Sequence, residues 1–155
     1  MQERPYMGKW ISILYRTGQA YFDKSFADYG IGNKHYRYLL FLYRQEGVTQ
    51  DIMSKYFYVD KATTARAILA LEEQGYIFRQ VDLKDKRANK VFLTEKGRAM
   101  EPVIRAVLND WAEVMTSDLT AAERSTVYGL LQKMACKAAD MKERDFRKNG
   151  FSDEL

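Results

Sequence analysis

The sequence predicts a mainly α-helical chain that carries one small β-hairpin wing, and three observations predict it. Residues 49–75 hold two short amphipathic helices that meet at a tight turn. Two β-rich triplets, Tyr76-Ile77-Phe78 and Val91-Phe92-Leu93, then flank Leu83-Lys84-Asp85-Lys86-Arg87-Ala88-Asn89, a run too polar for anything but a loop. Long helices with apolar stripes precede and follow this centre. The combination describes a winged helix–turn–helix dimerised by its N- and C-terminal helices. One domain, 1–155, then contains a winged lobe over 33–97 and dimerisation helices over 8–28 and 98–141.

The elements follow in chain order. Over 8–28, Ile11, Leu14, Tyr15, Gly18, Phe22 and Phe26 recur at helical spacing, with Trp10 beside them, and Gly30 and Gly32 break the helix. Asn33 is the expected cap of a second helix, 34–46, with Tyr36, Leu39, Leu40 and Tyr43 on one face and Gly47 at its end. Thr49 caps the first helix of the central pair, bearing Ile52, Met53, Tyr56 and Phe57. Asp60 caps the second, which starts at Lys61 and stops before Gly75.

On that second helix Thr64, Ile68 and Leu71 make an inward line with Ala67 alongside. Ala62, Arg66 and Glu73 lie opposite, and Leu69 falls toward the outside. Small and short polar residues in the first turn allow close backbone approach to base edges, and an arginine one turn on reaches guanine O6 and N7 in the major groove. Thr94 caps the next long segment, with Val103, Ile104, Val107, Leu108, Trp111, Val114 and Met115 in register and Pro102 set to kink it near its start. Thr120-Ala-Ala-Glu123 is a capping box that opens the last helix, with Val127, Leu130, Leu131, Met134, Ala138 and Met141. From Lys142 the tail is polar and expected to fray.

Charge supports a nucleic-acid partner. The chain carries 25 basic and 21 acidic residues, net +4. Between Arg79 and Arg98 alone, seven basic residues (Arg79, Lys84, Lys86, Arg87, Lys90, Lys96, Arg98) face three acidic ones (Asp82, Asp85, Glu95), also net +4. The surplus therefore sits on one hairpin, as a phosphate-contacting surface requires. The blander account of the same residues is a solvated loop.

Other classes find little support. One cysteine, Cys136, excludes an internal disulfide framework and a cysteine-rich zinc site, and it reads as a structural residue among apolar neighbours. One histidine, His35, leaves little for a metal centre or an acid–base pair, so no enzyme, metal or cofactor is expected. The longest apolar run, Tyr38 to Tyr43, is far short of the roughly 18–20 residues that cross a bilayer. No signal peptide is recognised, and a reducing, cytoplasmic setting follows. The terminal helices hold more apolar surface than a small winged core covers, so a two-fold homodimer is expected. It would place two recognition helices about 34 Å apart, on successive major grooves of a pseudo-palindromic operator.

Thr63-Thr-Ala-Arg66, Leu71-Glu-Glu-Gln-Gly75-Tyr-Ile-Phe-Arg79, Asp85-Lys-Arg87 and Leu93-Thr-Glu-Lys-Gly97 together resemble the MarR family of transcriptional regulators. The flanking helices agree in order and length, so the likeness covers nearly the whole chain. The resemblance implies a triangular dimer, a recognition helix in the major groove and a wing in the minor groove. It names Lys61, Thr63, Thr64 and Arg66 on the helix and Lys84, Lys86 and Arg87 on the wing as DNA-binding, with Asp85 and Arg79 stabilising the wing. Lys86 stands where Arg is frequent, and Ala65 where a hydroxyl residue is common.

Many members are repressors released by small aromatic ligands or by thiol oxidation, and the first-helix cysteine of the peroxide-sensing members is absent. Trp10, Tyr15, Tyr36 and Tyr38 are the candidates to line a ligand cleft; aromatic residues at helical spacing are otherwise simply core. The resulting expectation is a dimeric, sequence-specific DNA-binding repressor with a small-molecule effector. The alternative is a winged-helix interaction module that docks an acidic partner without specific DNA readout.

Overall fold

A computed structural model describes residues 6–32, 34–86 and 88–148. The expected cap Asn33 and the wing residue Arg87 lie outside them. The chain divides between Ala112 and Glu113 into two compact units.

In the first unit, α1 (Met7–Phe26) passes through a short 3-10 turn, Ala27–Tyr29, toward α2 (Tyr36–Arg44). Strand β1 (Val48–Thr49) follows, then the helix pair α3 (Gln50–Phe57) and α4 (Lys61–Glu73). Strands β2 (Ile77–Val81) and β3 (Asn89–Leu93) form the wing, and α5 (Glu95–Ala99) leads into α6 (Glu101–Met115). The sheet is antiparallel with β3 in the middle, Ile77 opposite Leu93 and Val48 opposite Val91. Strand β1 was not expected. Thr49 does cap α3, its hydroxyl accepting the Ile52 N–H at 3.4 Å, but it also pairs with Lys90.

Local chemistry explains the boundaries. α4 begins at Asp60, whose Oδ1 accepts the Thr63 N–H at 2.8 Å. It ends where Gly75 takes φ +77°, with the Tyr76 N–H bonded to Leu71 O and the Gly75 N–H to Glu72 O, both 2.9 Å. The turn between α3 and α4 uses a non-glycine residue instead, Tyr58 at φ 52°. Pro102 acts more strongly than expected. The long segment capped by Thr94 is broken at Met100 into α5 and α6, and Pro102 sits in the first turn of α6, where its missing N–H is harmless.

The core of this unit gathers Phe26, Leu39, Met53, Ile68, Ile77, Val91 and Ile104, each 2% exposed or less. Phe22 and Tyr21 of α1 pack against Trp111 of α6 at ring-centroid distances of 5.7 and 5.2 Å. The wing is tied back by a tight knot. Tyr43 Oη donates to Gly97 O at 2.7 Å, and a Cβ at Gly97 would lie 2.1 Å from Tyr76 O. Only glycine fits there.

The second unit is built on α7 (Ala121–Lys148). Its capping box forms as expected: the Thr120 N–H donates to Glu123 Oε2 at 2.8 Å and the Glu123 N–H to Thr120 Oγ1 at 3.3 Å. Arg124 bridges Glu113 and also donates to Thr116 O at 3.2 Å. Two expectations are corrected here. The helix continues through Lys142 to Lys148, and Cys136 is exposed, not enclosed by apolar neighbours.

Candidate nucleic-acid interface

α4 divides cleanly into two faces. Thr64, Ala67, Ile68 and Leu71 are buried, and Lys61, Ala62, Ala65, Arg66 and Leu69 are exposed. Leu69 does point outward, so the helical phase read from the sequence is right. Thr64 is the correction within the expected contact set. It is 0% exposed, with its hydroxyl 3.4 Å from Tyr38 Oη, and it serves the core. The outer face therefore carries Lys61 and Arg66 among alanines, with Thr63 half-buried between them.

A chain of hydrogen bonds runs along the first turns of that face. Asp60 Oδ2 accepts the Thr63 hydroxyl at 2.6 Å, and Thr63 Oγ1 accepts from Arg66 Nη2 at 3.2 Å. The Asp60 carboxyl is held below its ordinary range, first by the Thr63 hydroxyl and backbone N–H and then by the Arg66 charge. Lys61 Nζ meets Asp51 of α3 at 3.2 Å, a bridge between the two helices of the motif.

The wing is organised by a residue the sequence did not single out. Asp82 Oδ1 accepts the Lys84 N–H at 3.0 Å, and its Oδ2 lies 3.1 Å from Lys90 Nζ. These bonds hold the Asp82 carboxyl below its usual range, the backbone donor first. The Asp82 N–H donates to Ala88 O and the Ala88 N–H to Asp85 O, both 2.9 Å, closing the loop. Arg79, expected to stabilise the wing, bonds to Glu72 of α4. Its backbone N–H donates to Glu72 Oε1 at 3.2 Å and its Nε to Glu72 Oε2 at 3.0 Å. Asp85, expected to stabilise the wing, accepts the Ala88 N–H through its backbone carbonyl, and Arg87 lies outside the described residues. Lys84 and Lys86 are exposed, with no ion-pair partner for their side chains among the described residues.

The four aromatic residues expected at a ligand cleft differ in their surroundings. Tyr36 lines a cleft of about 430 Å³ bounded by Tyr36, Arg37, Leu40, Phe41 and Arg44 of α2, Tyr56 and Phe57 of α3, and Arg105 and Leu108 of α6. Tyr38 is 1% exposed in the core, while Trp10 and Tyr15 are exposed on α1. The sequence did not mark Arg44 or Arg105, which give the cleft cationic edges. Arg37 lies over the Phe57 ring and Arg105 pairs with Glu101. Burial raises the Tyr36 phenol above its ordinary pKa, so it is a neutral donor at physiological pH. Among the described residues no group of His, Cys, Asp and Glu could hold a metal, and no helix is long and apolar enough to cross a membrane.

Comparison with known proteins gives a consistent result. The MarR family model matches residues 29–88. The HTH-type transcriptional regulator YybA of Bacillus subtilis is 32% identical over 124 residues, covering 80% of this chain and 83% of its own. The crystal structure of a MarR transcriptional regulator from Methanosarcina mazei Go1 superimposes with a TM-score of 0.84 at 40% identity, over 89% of this chain and 99% of that one. A putative MarR family regulator from Listeria monocytogenes, solved in complex with a 26mer DNA, shares the fold with a TM-score of 0.84 at 22% identity, over 98% and 99% of the two chains.

Proposed function

The chain belongs to the MarR family of DNA-binding transcriptional regulators, and from that premise we propose that it is a homodimeric repressor that reads a pseudo-palindromic operator. One observation carries the reading. α4 buries Thr64, Ala67, Ile68 and Leu71 and leaves Arg66 exposed, with Thr63 half-buried beside it. An arginine at that place suits guanine in the major groove, while Lys84 and Lys86 of the wing supply phosphate contacts and reach toward the minor groove. The Listeria regulator solved on DNA has the same fold.

A second copy supplies what the terminal helices lack. α1 exposes Trp10, Ile11, Leu14 and Tyr15, and α7 exposes Tyr128, Leu130, Leu131 and Met134. Pairing covers such faces and sets two reading helices about 34 Å apart. The cleft at Tyr36 suits a small aromatic anion as effector, its ring among Phe41, Tyr56 and Phe57 and its charge against Arg44.

The test starts from the duplex that the wild-type protein enriches from a randomised pool. Its affinity should fall steeply and linearly with the logarithm of salt concentration, and a flat response defeats the DNA reading. Arg66→Ala should cost about 1–3 kcal/mol on the enriched duplex and far less on a shuffled one. Transcription from a promoter carrying the enriched duplex should fall when the protein is added; a rise makes it an activator.

A further inference from the structure

We propose that Thr63 is a positioning residue that holds Arg66 poised for a base edge, with Asp60 fixing Thr63 in turn. The inference rests on Arg66 being the base-reading arginine and adds how its side chain is presented.

The three residues recur every third position, so they follow one another along the first turns of α4. Asp60 is fixed because both its oxygens are engaged, Oδ1 by the Thr63 N–H at 2.8 Å and Oδ2 by the Thr63 hydroxyl at 2.6 Å. A hydroxyl has one proton to give. Because Thr63 commits that proton to Asp60, its oxygen can only accept on the side facing Arg66, and Nη2 of Arg66 donates to it at 3.2 Å. The guanidinium is thereby drawn toward the N-terminal turn, where the neighbouring side chains Ala62 and Ala65 are small. Thr63 takes only one of the two Nη2 protons, so the other Nη2 proton, together with the neighbouring N–H on its side of the guanidinium, is left for an acceptor pair such as guanine O6 and N7. An arginine already held in one orientation loses less rotamer freedom on docking than a free one, and it misses off-register acceptors. The carboxylate behind the relay also lies within electrostatic reach of Arg66, which weakens the arginine as a general phosphate anchor and favours its use on a base.

Thr63→Val and Thr63→Ser separate this role from others. Valine keeps the branched Cβ and the backbone bond to Asp60 but removes the hydroxyl; serine keeps the hydroxyl. The measured quantity is the ratio of affinities for the enriched and shuffled duplexes. Thr63→Val should lower that ratio about three- to ten-fold, by weakening the enriched duplex alone. Thr63→Ser should stay within about two-fold of wild type. In an Arg66→Ala background, Thr63→Val should change nothing further. Loss of discrimination in Arg66→Ala but not in Thr63→Val overturns the relay and leaves the reading arginine intact. Additive losses also overturn it, because Thr63 would then act on the duplex by itself. Discrimination retained in both variants overturns the role of Arg66 and the relay with it.

Discussion

Leu71 and Leu131 are the same residue on two helices of one chain, in opposite surroundings. Leu71 is 1% exposed beneath α4, and Leu131 is 49% exposed on α7. The difference extends to their neighbourhoods. Around Leu71, Ala67, Ile68, Tyr76 and Ile77 are buried with it, and the polar Thr64 buried among them meets the Tyr38 hydroxyl. Around Leu131, Tyr128, Leu130 and Met134 are also exposed, on a helix whose own capping box and Arg124 bridge are already complete. The same hydrophobic chemistry therefore has two purposes. In the lobe it forms the core beneath α4 and the wing; on α7 it stands exposed, the face that the proposed second copy would cover.

Substitution can break this contrast. Gly97→Ala should have the largest effect, about 3–5 kcal/mol in urea unfolding, because the added Cβ meets the Tyr76 carbonyl and the wing base must shift. Leu71→Ala should cost about 2–5 kcal/mol through loss of buried contacts and the cavity left behind. Leu131→Asp should leave the lobe folded and instead shift the protein toward monomer in sedimentation, with operator affinity falling alongside. If Leu131→Asp unfolds the chain at all protein concentrations as Leu71→Ala does, the two leucines serve one core and the contrast is lost.

What the sequence revealed of this arrangement follows the range of the forces involved. The α4 faces, the Asp60 cap, the Gly75 stop and the Thr120–Glu123 box are decided within a few residues, and each is legible. Strand β1 is two residues long, and its pairing with β3 joins positions some forty apart in the chain, so no local pattern announces it. Tyr36 and Tyr38 look equivalent as aromatic neighbours. Two positions apart on a helix they point to different sides, one to the cleft and one to the core. Asp82 and Asp85 are likewise indistinguishable as letters in a polar loop. The path of the turn, with the Lys84 N–H brought onto Asp82, separates their roles. Nothing local to Arg79 announces its partner Glu72 on α4, because that contact depends on how the hairpin folds back.

That Arg79–Glu72 bridge sharpens the comparison at its finest scale, since it joins α4 to the wing within the lobe. The Glu72 carboxyl is held below its ordinary value, first by the Arg79 side-chain bond and then, against the opposing effect of burial, by the Arg79 charge and backbone N–H. A group whose pKa is lowered on folding contributes stability that is present above its unfolded pKa and lost as pH falls through the folded one. The guanidinium stays charged across that window, so acid removes the bridge from the carboxylate side alone. Both side chains are about a third exposed, 34% and 29%, and solvent screening limits the bridge to about 0.5–1 kcal/mol. Amide exchange at the β2 end of the wing should therefore quicken as the solution is acidified below the usual glutamate range, while α7 amides show no matching change. Glu72→Gln should produce the faster wing exchange already at neutral pH and flatten its acid dependence. Wing exchange that is indifferent to both acid and Glu72→Gln would place the support of the hairpin elsewhere, in the Tyr43–Gly97 knot at its base.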